Sequence, residues 1–365
     1  MKLLVFNISG LGDTLLWLPA LDLVRRNNPG TRVTALTMFG SVADLLEASG
    51  LVEDVRRFDF VGRSAIEGLS FLVSLRRERF DWGVIPYGSN RFEYNAANML
   101  TGARRRLAHR YVRHRLKSFS FLNDVRLDED VSLHAVEENV RLVRRAGLVP
   151  ADKTMPPALI APIIPEQIEG AVRDAGRRFG DGALPVAVHA SCSVLKNQQQ
   201  RCYPPEALAE ALLSLRRERS DVRYVVFSGG MDAPLTKRLV ARLPEGSYSI
   251  PETPTILHCA AWLKQTKLMI SNDSGLMHLA ASVGVPCATI FGPTNPTFVR
   301  PWGVPYRIIS RAMPCSPCFQ YSSTPMRCPA NLDFACLTGL EPARIATAAK
   351  ELLEAGDRGR TRPTA

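Results

Sequence analysis

No apolar run in these 365 residues reaches the ~18 needed to cross a bilayer. The opening MKLLVFNISGLGD carries too short an apolar run for a signal peptide and no small-residue cleavage site. Both absences favour a cytoplasmic protein. Aromatics are scarce, 7% of the chain, and few fall among its densest positive charges, which argues against base stacking and a nucleic-acid partner. Acidic residues fall short of basic ones, 35 against 46, and the formal net charge of +11 attracts polyanions such as a phosphorylated sugar or acidic lipid. The dinucleotide fingerprint GxGxxG is also missing. The first glycine turn reads Ser9-Gly10-Leu11-Gly12-Asp13, and no acidic residue follows at the distance a ribose contact needs, so a nicotinamide cofactor is not expected.

What is present is alternation of strand-like and helix-like segments, twice over. Residues 2–8 read as a strand, the SGLGD turn follows, and Thr14 to Arg26 has helical spacing with Leu15, Leu18, Leu21 and Val24 inward. In a parallel sheet the loop after the first strand lies at the ligand edge, and its glycines permit close backbone approach. Asp13 there is a helix cap or a general base. Ser132 to Ala146 is expected to be an amphipathic helix capped by Ser132. Residues 150–166 hold five prolines and read as an extended connector. This divides the chain into domains 1–155 and 156–340, a last helix 341–356 and a basic, flexible tail 357–365. The length suits two domains rather than one core.

The most informative stretch is Lys267 to Pro296, KLMISNDSGLMHLAASVGVPCATIFGPTNP. It reads as a strand, a turn at Asn272-Asp273-Ser274-Gly275, a helix ended by Gly284 and Pro286, and a second strand. A strand that enters a helix through Asp-Ser-Gly leaves free amides and a positive dipole end, which suits phosphate. His278 falls one turn after Ser274 on the same face. A plain βαβ turn with a core histidine is the alternative.

Two clusters remain. Arg104, Arg105, Arg106, His109, Arg110, Arg113, His114, Arg115 and Lys117 crowd into residues 104–117. They are either a solvated charged face or a contact for phosphates. Of eight cysteines, Cys315 and Cys318 form a CxxC pair, followed by Cys328 and Cys336. Four such residues suit a thiolate metal site, although the wide second spacing leaves thiols or a redox-labile pair as alternatives. Cys192, Cys202, Cys259 and Cys287 are scattered, and buried thiols are expected.

The chain resembles glycosyltransferase family 9, the ADP-heptose:lipopolysaccharide heptosyltransferase family, from Lys2 to about Leu353. The resemblance rests on ISGLGDTLLWLPAL at 8–21, RCYPPEALAEAL at 201–212 and SNDSGLMHLAASVGVPCATIFGPTNP at 271–296. It implies a GT-B fold: two Rossmann-like α/β domains with parallel sheets facing a central cleft, acceptor in the first domain, nucleotide sugar in the second. The last helix would pack back on the first domain. It implies an inverting transfer with Asp13 as general base, needing no metal or other cofactor for catalysis. The donor would be a nucleotide sugar, ADP-heptose as in the best-known members, held by Asp273, Ser274, Gly275 and His278. Ser191, Lys196, Arg201, Gly229, Gly230, Gly292, Pro293 and Thr294 would complete the donor side. The acceptor would be a phosphorylated glycolipid of the lipopolysaccharide-core type, met by Gly12, Arg105, Arg110 and Arg113, with peripheral contact at the inner membrane surface. Some members carry a similar four-cysteine segment, here Cys315, Cys318, Cys328 and Cys336. The family's K-x-W-P segment reads Arg201-Cys202-Tyr203-Pro204 here, so arginine stands for the lysine and tyrosine for the tryptophan, a departure that admits a donor other than ADP-heptose. The competing readings are a nucleotide-sugar epimerase of GT-B architecture and a non-catalytic nucleotide-sugar or polyanion-binding protein.

Overall fold

Strands such as Leu3 to Phe6 and Leu268 to Asn272 are inaccessible to solvent along their whole length, as parallel strands covered by helices on both faces must be. The computed structural model describes residues 1–89, 91–111, 118–180, 182–192, 198, 200–230, 233–319 and 326–360. They form two units, Met1–Ile163 and Ile164–Ala365. The division falls at the end of the proline-rich connector, eight residues after the expected boundary at 155.

The first unit runs β1 (Lys2–Phe6), α1 (Leu11–Asn27), β2 (Arg32–Thr37), α2 (Gly40–Ala48), β3 (Asp54–Arg57), α3 (Ala65–Ser74), β4 (Trp82–Val84), α4 (Phe92–Leu100), β5 (Arg105–Arg110), β6 (Val125–Asp128) and α5 (Ala135–Arg145). Its sheet has the order β3-β2-β1-β4-β5-β6, parallel throughout. The second unit runs α6 (Glu166–Gly176), β7 (Leu184–His189), α7 (Pro205–Glu218), β8 (Val222–Val226), α8 (Ala233–Val240), β9 (Tyr248–Ser249), α9 (Ile256–Lys264), β10 (Leu268–Asn272), α10 (Gly275–Ser282), β11 (Cys287–Phe291), α11 (Pro296–Val299), β12 (Tyr306–Ser310), α12 (Ala335–Thr338) and α13 (Pro342–Arg360). Its sheet order is β12-β11-β10-β7-β8-β9, again parallel. Counted from its own first strand, the second sheet repeats the order of the first. Each therefore has one topological switch point, between β1 and β4 and between β7 and β10, where open α/β sheets take ligands at the carboxyl ends of their strands.

Several local expectations change. Helix α1 starts at Leu11, three residues early, so Asp13 lies inside its first turn while Gly10 is the N-cap. Asp13 is therefore not the cap. Helix α5 is capped by His134, not Ser132: the Val136 amide donates to His134 Nδ1 at 3.3 Å, and Glu137 accepts the His134 amide at 2.7 Å. Ser132 instead turns its hydroxyl to Asp130. The last helix, expected on the first domain, buries Ile345, Ala346, Ala349, Leu352 and Leu353 in the core of the second unit with Leu208, Leu212 and Leu215 of α7. Its apolar stripe finds there a partner of matching width. It continues to Arg360, through positions expected to be a loose tail.

The described part of the basic segment, residues 104–111, is mostly strand and not a helix face. In β5, Leu107, Ala108 and His109 are buried. His109 Nε2 lies 3.0 Å from Glu138 Oε2, with both side chains fully enclosed. A histidine counted with the exposed cations is thus a core residue, placed there by a pairing partner on α5.

Candidate functional site

In the first unit the switch point brings together the loops after β1 and β4. Ser9 and Ser89 hydroxyls meet at 2.8 Å and tie these loops across 80 positions of sequence. Gly88 adopts φ +92°, and a Cβ built there would come within 3.1 Å of Asp13 Oδ1. The bare backbone at Gly88 thus forms one wall of the Asp13 carboxylate, and a side chain would displace it. The wall is itself held. Gly88 donates its amide to Tyr111 Oη at 3.0 Å, and Tyr87 donates its amide to Asn139 Oδ1 at 2.8 Å. The phenol of Tyr94 is near enough to feel the Asp13 charge. Burial, first, and that charge raise its pKa, so it stays protonated. Asp13 itself is half-buried, as a proton acceptor that must meet a ligand has to be. Gly12 precedes it in the same first turn of α1 and is likewise half-buried.

Arg105 and Arg110 occupy opposite ends of β5. Arg110 is at the carboxyl end, on the same sheet edge as Asp13. Arg105 is at the other edge, with its guanidinium 5.4 Å from the Trp82 ring centroid. An acceptor contact shared with Asp13 suits Arg110 and not Arg105. Arg110 is ion-paired with Asp128, and it lines a cavity of about 290 Å³ together with Asp124, Arg126 and Arg145. Arg113 lies outside the described residues.

In the second unit the switch point brings the end of β7 beside the start of α10. His189 Nδ1 lies 3.3 Å from Ser274 Oγ. Ser274 is the N-cap of α10, yet its hydroxyl makes no capping bond. The Met277 amide turns back to the Ser274 carbonyl at 3.1 Å, and the amides of Gly275 and Leu276 lie at the helix start without a cap from Ser274. Asn272 fixes the strand end on both sides, accepting the Tyr203 amide at 2.8 Å and donating to the Ala190 carbonyl at 2.8 Å. Arg201 then reaches in. Its Nη1 donates to Asp273 Oδ2 at 2.9 Å and to Thr294 Oγ1 at 3.2 Å, and its Nη2 donates to Gln198 Oε1 at 3.1 Å. Phe319 covers the guanidinium, 4.7 Å from ring centroid to Cζ. The result is a largely buried cation beside a positive helix end, suited to an anion with two or more charges.

The other donor-side positions separate into kinds. Ser191 is buried and gives its hydroxyl to the Cys192 carbonyl. His278 is 3% exposed, and burial pushes its pKa down to about 4, so it is a neutral imidazole at pH 7. Gly229 and Gly230 are exposed at the carboxyl end of β8, and a Cβ on Gly230 would meet nothing. Gly292 is different: a Cβ would come within 2.5 Å of Leu337, so glycine there serves packing. Its carbonyl accepts from Ser316, while Pro293 accepts the amides of Cys318 and Phe319 at 2.9 and 2.8 Å. These bonds seat the CxxC turn and deliver Phe319 onto Arg201. Lys196 lies outside the described residues.

The four clustered cysteines share one neighbourhood. Burial and the nearby thiols Cys315 and Cys328 raise the pKa of Cys318. Backbone amides, that of Phe334 foremost, hold the Cys328 thiol below its usual range. Among the described residues, however, no three His, Cys, Asp or Glu side chains converge closely enough to hold an ion.

Residues 70–327 match the family described as "Glycosyltransferase family 9 (heptosyltransferase)". The chain belongs to glycosyltransferase family 9. Among curated relatives, this family 9 chain is 29% identical over 159 residues to lipopolysaccharide heptosyltransferase 1 of Pseudomonas aeruginosa, covering 41% of the chain and 44% of the relative. It is 24% identical over 242 residues to lipopolysaccharide heptosyltransferase 2 of Escherichia coli, covering 65% and 66%. The matched stretches thus span 44% and 66% of these relatives' lengths. Among solved structures, the E. coli ADP-heptose lipopolysaccharide heptosyltransferase II superposes with TM-score 0.71 at 18% identity, over 98% of this chain and 100% of that one. A family 9 glycosyltransferase from Veillonella parvula gives 0.72 at 18%, over 97% of each. The two-domain α/β architecture of the family 9 chain is accordingly of the GT-B class.

The sequence pattern missed Gly88, Ser89, His189, Gln198 and Phe319. Only Gly88 carried a local signal, as a glycine in the turn that follows β4.

Proposed function

We propose that this protein is an inverting glycosyltransferase that moves a sugar from a nucleotide diphosphate donor to a phosphorylated bacterial glycolipid. The observation that carries the reading is Arg201, buried between Asp273 and Thr294 beside the uncapped start of α10. That is a diphosphate site built from a fixed cation and backbone amides. The Asp13 carboxylate of the first unit supplies the complementary function. In the reaction, an acceptor hydroxyl oxygen forms a bond to the anomeric carbon as the bond from that carbon to the diphosphate oxygen breaks. The hydroxyl proton passes to Asp13, and the charge left on the diphosphate is met by Arg201 and the α10 amides. Asp273 releases part of its hold on Arg201 as the phosphates arrive. One displacement with one base inverts the anomeric centre.

ADP-heptose is the proposed donor: an E. coli heptosyltransferase of the same fold has been solved with ADP and with an ADP-2-deoxy-2-fluoro heptose. The acceptor side is proposed to rest on an anionic membrane surface on the cytoplasmic face. Phe92, Phe119 and Phe121 stand exposed as one aromatic group, with ring centroids 5.6 and 5.5 Å apart, and no described helix is long and apolar enough to cross a membrane. Cys315, Cys318, Cys328 and Cys336, which perturb one another without converging on one point in this structure, are proposed to draw together around a structural metal apart from the reaction. Metal content of protein purified without chelator tests this, and a stoichiometry near zero for zinc and iron removes it.

Melting temperature in the presence of ADP, UDP, GDP, CDP or dTDP tests the main reading, because a ligand selective for the native state raises it. Stabilisation by ADP is expected. Preference for another nucleotide replaces the donor, and no response to any of them favours a non-catalytic protein. The epimerase reading predicts turnover of the nucleotide sugar without acceptor, and product analysis decides it.

A further inference from the structure

Two cysteines outside the clustered four are in direct contact. Cys192 follows Ser191 just beyond the end of β7, and Cys202 follows Arg201. Their sulfurs lie 3.0 Å apart. Cys192 is 5% exposed, whereas Cys202 is partly open to solvent. The thiol of Cys192 also reaches the Gln198 carbonyl at 3.0 Å. The contact with Cys202, and then burial, raise the pKa of Cys192, so it remains a thiol. Both flanks of the pair are anchored. Ser191 bonds to the Cys192 carbonyl, and Tyr203 is pinned through its amide to Asn272 and through its hydroxyl to the Leu340 carbonyl at 2.7 Å.

We propose that Cys192 and Cys202 are an oxidation site that switches the donor site, by forming a disulfide that pulls on Arg201. A peroxide is the oxidant. The more accessible Cys202 sulfur attacks it, forming an S–O bond as the O–O bond breaks, which leaves a sulfenic acid and one water. The Cys192 sulfur then attacks the Cys202 sulfur; the S–S bond forms, the S–O bond breaks, and the departing hydroxide leaves as a second water with the Cys192 proton. Two thiols and one peroxide give one disulfide and two waters. Closing the contact to a bond of about 2.05 Å draws the sulfurs together by roughly 1 Å. Tyr203 is pinned, so the movement falls on Arg201, which must keep contacts to Asp273, Thr294 and Gln198 to present its charge. The oxidised protein binds a nucleoside diphosphate several-fold more weakly, and a thiol reductant restores it.

This inference rests on Arg201 as a donor contact, and the test separates the two. Protein is treated with a small excess of hydrogen peroxide, then alkylated, digested and mapped by mass spectrometry, and its melting temperature is read with and without ADP before and after dithiothreitol. Expected are a Cys192–Cys202 cross-linked peptide as the first linkage to form, and a smaller ADP-induced shift that dithiothreitol restores. Cys202→Ser, and separately Cys192→Ala, keep the ADP-induced shift in peroxide. A first linkage elsewhere, or an ADP shift equal in the linked and reduced proteins, overturns the proposal. Reduced protein that responds to no nucleotide breaks the donor-site reading instead, and the oxidation site then stands or falls on the cross-link alone.

Discussion

The two switch points have the same topology and opposite chemistry. Between β1 and β4 the loops are joined through Ser9 and Ser89, and the candidate functional group is the half-buried Asp13 carboxylate, kept against the bare backbone of Gly88. Between β7 and β10 they are joined through His189 and Ser274, and the functional group is the Arg201 guanidinium, kept between Asp273 and Thr294. The parallel sheet provides the same thing in both: a rigid edge where two loops distant in sequence meet. What differs is the sign of the charge, and with it the step each unit can assist. A carboxylate takes up a proton, whereas a cation with helix amides stabilises a departing phosphate.

The largest effect should come from removing the negative side. Asp13→Asn is expected to lower the rate of transfer by roughly 100- to 10,000-fold, the range for a general base, while leaving ADP stabilisation and melting temperature unchanged. Retained transfer would detach the proton step from the first unit. Next is acid sensitivity of the second unit. The pKa of His278 is about 4 in the fold against 6.5 unperturbed, so between those values the unfolded chain binds the extra proton. Stability is then complete above pH 6.5 and declines as pH falls toward 4, by about 3 kcal/mol from this one group. Urea unfolding at pH 7 and pH 4.5 should show the loss, and His278→Gln should flatten it. A slope that survives the substitution would move the sensitivity to other groups.

Arg201→Ala should weaken ADP binding about 10- to 100-fold, on the order of 1.5–3 kcal/mol for charge-assisted hydrogen bonds, as read by calorimetry. Paired with Asp13→Asn it forms a crossed test: one variant keeps the nucleotide and loses transfer, the other loses the nucleotide. Equal effects of both on ADP would erase the contrast between the units. The smallest effects concern two glycines of the second unit. Gly292→Ala forces a methyl against Leu337 and should cost about 1–3 kcal/mol of stability, whereas Gly230→Ala, with open space before it, should be near neutral. Melting temperatures of the two variants decide whether glycine at 292 serves packing.

The fold was readable because its signals are local. Alternating strand and helix patterns, a proline-rich connector and the turns SGLGD and NDSG each fall within a few residues. Where local signals competed, the reading slipped. Ser132 is a better capping residue than histidine, yet His134 caps α5, because Glu137 stands at the spacing that completes the capping box there. The dense charge of residues 104–110 suggested one exposed face. The strand instead sends His109 inward to Glu138, and its length places Arg105 and Arg110 at opposite ends of β5. The apolar stripe of α13 was legible, but not which surface would cover it.

The sequence by itself determined two α/β domains, a carboxylate in the first glycine turn, a strand-to-helix turn at Asp273-Ser274-Gly275 and an arginine at position 201. Backbone preferences and hydrophobic period act over a few residues, and both are written in order along the chain. Only the tertiary structure decided what these groups meet. Asp13 faces Gly88, Arg201 pairs with Asp273 across 72 positions, and Cys192 touches Cys202. His278 loses its charge because it is enclosed. Charge, protonation and reactivity depend on neighbours in space, and the crossover connections of a parallel sheet draw those neighbours from distant parts of the chain.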